Sequence, residues 1–433
     1  MNFPSMFETD YEEYLTPLLR WKNRRFPLFV ARGYSSFVED RLGKKYIDFT
    51  SGMGAAVLGH CPPEVIRAVS EQLSKLIHIC AHVAIYEPYM ELSRILTNLL
   101  PKGLGFPFFT NSGAEANEAA LKLAKWCTNR DYIIAFLGSF HGMTSGAFTV
   151  TTVSSKYKER KTPTISHVIH VPFPYCYRCV LGKQHPECQI ACLDYLETVL
   201  KTVVSPKNVA AIILEPIQGD GGVIVPPDEF VKRLRETCNE KDILLIFDEI
   251  QTGLGRTGKM FACEHFGVAP DIMTLGKALA NGLPLGAMVA RKDLVENLEH
   301  FPHGSTFGGN PISCVAAISV IQSILEKNVV KNVISVGAFL KNELKKLAHK
   351  NVLLGDIRGK GLMLGVEIVK DKDRIPDQEK TKQIVKLCYE KGLLIPVGGI
   401  FENVLRFLPP LNLSLKVAKE AVRIFSESIN SRI

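Results

Sequence analysis

The sequence predicts an α/β protein in which a mainly parallel sheet carries helices on both faces, and three observations predict it. Three apolar runs without a turn former, Tyr132 to Leu137, Ala210 to Leu214 and Ile243 to Phe247, read as strands buried on both faces. Amphipathic helical patterns stand among them, Ala114 to Trp126 before the first and Glu229 to Glu240 before the last. Each run also stops at residues suited to binding: Gly138-Ser139-Phe140-His141-Gly142, then Glu215-Pro216-Ile217-Gln218-Gly219, then Asp248-Glu249-Ile250-Gln251. Open α/β sheets place their ligands at those strand ends, so the expectation is a doubly wound sheet with its site at one edge.

Around this centre the other elements follow in order. Residues 12–24 have a helical pattern, and Phe37 to Asp40 with Lys45 to Phe49 reads as a β-hairpin turning at Gly43. Ser51 to Ala56 is small and loop-like, and Pro62 opens a helix to Leu76 with Val65, Val69, Leu73 and Leu76 at helical spacing. Asp271 to Leu275 and Gly286 to Ala290 read as two further strands, and Gly304 to Pro311 as a glycine-rich loop before a helix from Ile312 to Leu325. The remainder changes to two helices (329–349 and 377–391), short strands (362–368, 393–396, 404–407) and a closing helix, Leu415 to Ile429. The expected organisation is a small α+β domain built from both termini, residues 1–55 and 316–433, around a large domain at 56–315.

Hydrophobic residues make up 46% and charged residues 22% of the 433, an ordinary globular balance. The net charge of +8 is spread along the chain without a basic run, which excludes a nucleic-acid arm. No stretch reaches the ~20 apolar residues of a membrane span, and Met1 to Glu8 lacks the pattern of a secretory signal. Eleven cysteines, mostly single within apolar patterns, fit reduced thiols and a cytoplasmic location.

The chemistry starts from Asp248 and Lys277. An acid and a lysine at two strand ends of one sheet suit a pyridine ring. The carboxylate would keep the ring nitrogen protonated, and the amine would form a Schiff base with an aldehyde on the ring. Ser112-Gly113-Ala114, opening a helix, offers free backbone N–H groups, a hydroxyl and the positive helix end to a phosphate; a plain serine N-cap is the other reading. Phe140 could lie flat on a ring or belong to the core, and His141 could serve the site or only make a structural hydrogen bond.

In this order, Asn111 to Ala116, Phe140-His141-Gly142, Glu215 to Gly219, Asp248 to Gly258, Gly276-Lys277 and Ser305 to Pro311 resemble the class III aminotransferases, pyridoxal-phosphate enzymes of fold type I. The resemblance covers the chain from about residue 25 onward; 4-aminobutyrate aminotransferases and their archaeal relatives are similar, with amino-acid racemases of the same fold nearby. It implies pyridoxal 5'-phosphate held by Lys277, Asp248 at the ring nitrogen, and Ile250 and Phe140 on the two ring faces. Ile250 would lie on the strand face of Asp248, two residues back. Gln251 would reach the phenolic oxygen and Ser112, Gly113 and Ala114 the phosphate, with His141 in the cofactor site. Thr306 would reach the phosphate of the neighbouring subunit of a homodimer. Arg406 would grip the substrate α-carboxylate by a bidentate fork, and Glu215 would pair with that arginine when a substrate lacks the carboxylate. Met53 and Met143 would line the substrate pocket. The implied activity is amino-group transfer from an amino acid, such as the ω-amino acid 4-aminobutyrate, to 2-oxoglutarate or another oxo acid; the alternative is racemisation of apolar amino acids.

Two features depart from that pattern. Met143 stands where 4-aminobutyrate aminotransferases usually carry an arginine for the distal carboxylate, and a thioether cannot neutralise that charge. Between residues 174 and 192, Cys176, Cys179, Cys188 and Cys192 have the spacing C-x2-C-x8-C-x3-C, which fits a structural metal, disulfides or four plain thiols.

Overall fold

The computed structural model describes residues 26–431 apart from 160–163, 297, 299–300 and 372, so the helical pattern at 12–24 lies outside the described residues. Fifteen strands fall into three sheets among the described residues. The N-terminal strands are β1 (Val30–Tyr34), β2 (Phe37–Asp40) and β3 (Lys45–Asp48). The large sheet contains β4 (Leu104–Thr110), β5 (Tyr132–Phe136), β6 (Val168–Val171), β7 (Val209–Leu214), β8 (Leu244–Asp248), β9 (Ile272–Leu275) and β10 (Gly286–Arg291). The C-terminal strands are β11 (Leu354–Lys360), β12 (Met363–Ile368), β13 (Leu393–Leu394), β14 (Val397–Gly398) and β15 (Val404–Phe407).

The large sheet runs in the order β4-β10-β9-β8-β7-β5-β6. β10 is antiparallel to both of its neighbours, and the pairs from β9 to β6 are all parallel. Every residue of β7, β8 and β9 is buried, as strands covered on both faces must be. From β5 the chain steps outward to β6 and then back through β7, β8 and β9. The order therefore reverses between β5 and β7, which opens a crevice beyond their C-terminal ends. The α/β expectation thus holds, with two strands added that the sequence reading did not contain. Edge strand β4 carries Pro107, and its register to β10 shifts between Met288 and Ala290, a bulge that tolerates the missing N–H. Edge strand β6 is only half-buried, so it lacks the apolar run of its inner neighbours.

The predicted hairpin forms, with Val38 opposite Tyr46. β13, from the far end of the chain, extends that sheet by pairing in parallel with β3, which joins the two terminal segments. Ser51–Gly54, within the segment expected to be loop-like, winds one tight turn in which all four residues have positive φ, Gly52 and Met53 being left-handed. The second C-terminal sheet, β11-β12-β15-β14, is antiparallel and places Gly365 opposite Arg406 and Glu367 opposite Val404. Helices Gly113–Thr128, Asp228–Glu240 and Pro311–Glu326 bury their apolar residues in the core. Among the described residues no single helix is long and apolar enough to cross a membrane.

Candidate active site

Asp248 is the last residue of β8 and lies opposite Thr274 of β9, so its carboxylate stands at the C-terminal edge of the sheet. It is buried, yet well supplied with donors. Its Oδ2 accepts from Asn117 Nδ2 at 2.8 Å and lies 2.7 Å from His141 Nδ1, and its Oδ1 accepts from the Ile250 backbone N–H at 3.0 Å. Asn117 is fixed in turn: it donates to the His141 carbonyl at 2.7 Å and accepts from Thr274 Oγ at 2.8 Å. The His141 backbone N–H is held by Thr151 Oγ at 2.9 Å. Such a network aims the carboxylate, because Asn117 is itself oriented by two further bonds and the His141 backbone by one.

Lys277 follows β9 and starts a short 3-10 turn with a φ of 38°, a strained value for a residue with a side chain. Gly276 and Gly113 lie against Ile250, and a Cβ on Gly113 would meet Ile250 Cδ1 at 2.7 Å. Burial pushes the Lys277 amine below the usual lysine range, and Arg406 adds to that, while Asp220, Asp248 and Glu215 oppose it. A lysine that loses its proton more readily is a better nucleophile and proton carrier.

The structure corrects the geometric ground given for Ile250. β8 ends at Asp248, and Ile250 lies in the following turn, so strand alternation does not place its side chain. Its position comes instead from contact with the two glycines. Gln251, also beyond the strand, is buried beside Gly219, where a Cβ would come within 2.1 Å of its Oε1.

Ser112 caps the helix Gly113–Thr128, its hydroxyl accepting from the Glu115 N–H at 3.2 Å. The capping reading is therefore realised. Ser112, Gly113 and Ala114 remain half-buried at the positive helix end, so the same turn keeps donors for an anion.

In this structure, which holds no substrate, Glu215 and Arg406 each have another partner. Glu215, fully buried, accepts from the Phe140 N–H at 2.9 Å and the Gly219 N–H at 2.8 Å, so it ties the β5 loop to the β7 loop. Arg406, on β15 and also fully buried, makes its ion pair with Asp220. Asp220 sits in the Gly-Asp-Gly-Gly turn after β7, five residues beyond Glu215, and its backbone carbonyl accepts from the Gly399 N–H at 2.8 Å. The reason is local: two backbone donors already satisfy Glu215.

Burial pushes the Glu215 carboxyl up to about 7; Asp248 adds to the effect, and His141 with the two backbone donors opposes it. A carboxyl with a raised folded pKa binds its proton more tightly folded than unfolded. Stability is then full at acid pH and falls as pH rises from the ordinary carboxylate range to about 7. Glu215→Gln is expected to remove this slope, worth roughly 3 kcal/mol across the window. Melting profiles between those pH values check it; a slope unchanged in the variant would contradict the assignment.

The remaining predicted positions are less enclosed. Met53 is half-buried with a φ of 64°, Met143 is 58% exposed rather than packed into a pocket, and Thr306 is exposed at the protein surface. Phe140 is half-buried at the head of the β5 loop. Cys176, Cys179, Cys188 and Cys192 line one small cavity together with Lys183 and His185. All four thiols are free, so the structure contains no disulfide there, and among the described residues no three ligating side chains are arranged to hold a metal.

Several members of the site were not named from sequence: Asn117, Thr151, Thr274 and Asp220. A signal existed for two of them. Asn117 is a poor helix former in an Ala/Leu-rich helix, and Asp220 is an acid inside a glycine turn at a strand end.

Four buried polar atoms of the residues around this crevice have no protein partner among the described residues: His141 Nε2, Gln251 Oε1, and Nε and Nη2 of Arg406. Buried polar atoms rarely stay unpaired, and their clustering marks a place for a polar ligand. An acid for a ring nitrogen, a desolvated lysine, a glycine-lined helix start and an orphaned amide together fit pyridoxal phosphate.

A sequence profile of the family aminotransferase class-III matches residues 20–429. The chain is 38% identical to the alanine/serine racemase of Pyrococcus horikoshii, over 94% of this chain and 87% of that protein. It is 39% identical to the acetylornithine aminotransferase of Clostridium acetobutylicum (94% and 97% covered) and 36% identical to the 4-aminobutyrate aminotransferase of Escherichia coli (93% of each). The fold superposes on a Bacillus anthracis aminotransferase with a TM-score of 0.91 at 31% identity, covering 98% and 97% of the two chains. An amine transaminase from an uncultivated Pseudomonas species, crystallised in its PLP-bound form, aligns with a TM-score of 0.90 at 29% identity, over 98% of each chain. Sheet order, site and sequence together place this chain in the class III aminotransferase family, as an enzyme of fold type I.

Proposed function

We propose that the protein binds pyridoxal 5'-phosphate and moves the amino group of an amino acid to an oxo acid such as 2-oxoglutarate. The observation that carries this reading is the conjunction of a buried Asp248, held by three hydrogen bonds, with a half-buried Lys277 of lowered pKa at adjoining strand ends. When bound, the cofactor supplies an aldehyde to carry the amino group and a ring to accept electrons.

The protein's own residues do the rest. Asp248 keeps a proton on the ring nitrogen, and Asn117 and His141 keep Asp248 in place. Lys277 takes the proton from the substrate Cα and delivers it onward. Ile250 and Phe140 would flank the ring, Gln251 would meet the phenolic oxygen, and the Ser112–Ala114 turn would hold the phosphate. Arg406 receives the α-carboxylate, for which Asp220 must step aside; when a substrate lacks that group, Asp220 stays and neutralises the arginine. On this reading the switching acid is Asp220, the ion-pair partner of Arg406, in place of Glu215. Exposed Thr306 would reach the neighbouring site of a cytoplasmic homodimer, and the segments 1–55 and 316–433 would form one small domain against 56–315.

Racemisation would need a second proton carrier opposite Lys277, and neither Ile250 nor Phe140, the residues assigned to the two ring faces, carries a titratable proton. Transfer of a nitrogen-15 label from a donor amino acid to added 2-oxoglutarate tests the reading; turnover that leaves the label on the donor skeleton contradicts it. Met143→Arg is expected to raise kcat/KM for 4-aminobutyrate about tenfold through a charge-assisted bond to the distal carboxylate. If steady-state kinetics show no gain, Met143 is not a pocket residue.

A further inference from the structure

The Gly219–Gly222 turn that carries Asp220 is anchored from outside the cofactor site. Arg358, on β11, donates from Nε to the Gly222 carbonyl at 2.9 Å. The same guanidinium donates to Glu367 at 2.6 Å and to Asp356 at 3.0 Å from Nη1, and its Nη2 lies 3.1 Å from the Tyr175 hydroxyl. Glu367 is completely buried and also bonded to Tyr175 and Arg178, both within the cysteine-bearing segment 174–192. Burial alone would raise its pKa, but Arg358, Tyr175 and Arg178 hold it below the ordinary range, so it remains a charged hub. The register of β12 and β15 puts Glu367 and Arg406 on one face of the same sheet, as diagonal neighbours, with the Gly222 carbonyl close to Gly365 between them.

A chain of contacts therefore runs from the 174–192 segment through Glu367 and Arg358 to the turn that presents Asp220 to Arg406. We propose that Arg358, fixed by Glu367, Tyr175 and Arg178, is a positioning residue that holds Asp220 on Arg406 and so sets how readily Arg406 accepts a carboxylate substrate. Asp220 competes with an incoming carboxylate for the same guanidinium. A preorganised competitor is a stronger one, because less order has to be imposed when it pairs. Lysine at position 358 keeps the charge near Glu367 but lacks the fork that reaches Gly222 and Glu367 at once. The inference rests on the proposed role of Arg406.

The test is calorimetric titration of the holoenzyme with isovalerate, a carboxylate that has no amino group to react. Arg358→Lys is expected to bind it about tenfold more tightly, the scale of one charge-assisted hydrogen bond. Asp220→Asn is expected to move affinity in the same direction, and the double variant to gain nothing over Asp220→Asn, because both act through one competitor. Unchanged or weaker binding by Arg358→Lys, or additive gains in the double variant, overturns the proposal. Affinity unaffected by Arg406→Met overturns the carboxylate reading of Arg406 and this inference with it, a result distinct from failure of the relay alone. Should Arg358→Lys not fold, Tyr175→Phe removes the hydroxyl shared by Glu367 and Arg358, and the same comparison applies with a smaller gain.

Discussion

Lys277→Ala is expected to lower kcat by roughly four orders of magnitude while leaving the fold intact, because it removes the group that shuttles the proton at Cα. The structure motivates so large an effect. Lys277 is half-buried, held at a strained φ of 38°, and surrounded by three acids and one arginine. Alanine also relieves little of the strain, since that cost belongs to any residue with a side chain at this φ. Stopped-flow kinetics and the absorbance of the bound cofactor check the outcome together. A variant that keeps the wild-type absorbance and turnover would show that the lysine is structural.

Asp248→Asn is the second large effect, with kcat expected to fall about a thousandfold, the scale of losing one preorganised charge in a dry site. Asparagine is nearly isosteric, so the hydrogen bond from Asn117 can persist, but an amide cannot hold a proton on a pyridine nitrogen. His141 Nδ1, 2.7 Å away, would face a neutral amide instead of a carboxylate. The new amide NH2 must face either the Ile250 N–H or the Asn117 and His141 donors, so the melting temperature is expected to fall by a few degrees while the variant stays folded. A thousandfold loss of activity in a variant that is still folded at the assay temperature separates the chemical role from a structural one. Activity lost only in proportion to the unfolded fraction would contradict it.

The sequence made the centre of the sheet legible for a physical reason. β7 and β8 are buried on both faces and must be apolar throughout, so their ends stand out, and Asp248 and Glu215 stand at those ends. β4 and β6 lie at the edges, where Pro107 is tolerated and half-burial suffices, so their sequences carry no such run. Lys277, Gly113 and Ser112 were legible through spacing and motif. Asp220 was not, because which of two acids five residues apart meets Arg406 depends on the backbone donors near each. Glu215 finds its donors in Phe140 and Gly219, and only the fold brings those together. The Glu367 hub was equally hidden, since its partners Tyr175, Arg178 and Arg358 are remote in the chain.

The central claim is that Lys277 moves the Cα proton away from the substrate rather than returning it to the other face. Mixing the holoenzyme with one reactive L-amino acid and no oxo acid tests it most directly. The account predicts a single stoichiometric conversion of the bound cofactor to its amine form, with one equivalent of oxo acid released and no D-enantiomer by chiral chromatography. Continuous accumulation of the D-enantiomer, with the cofactor unchanged, would contradict it.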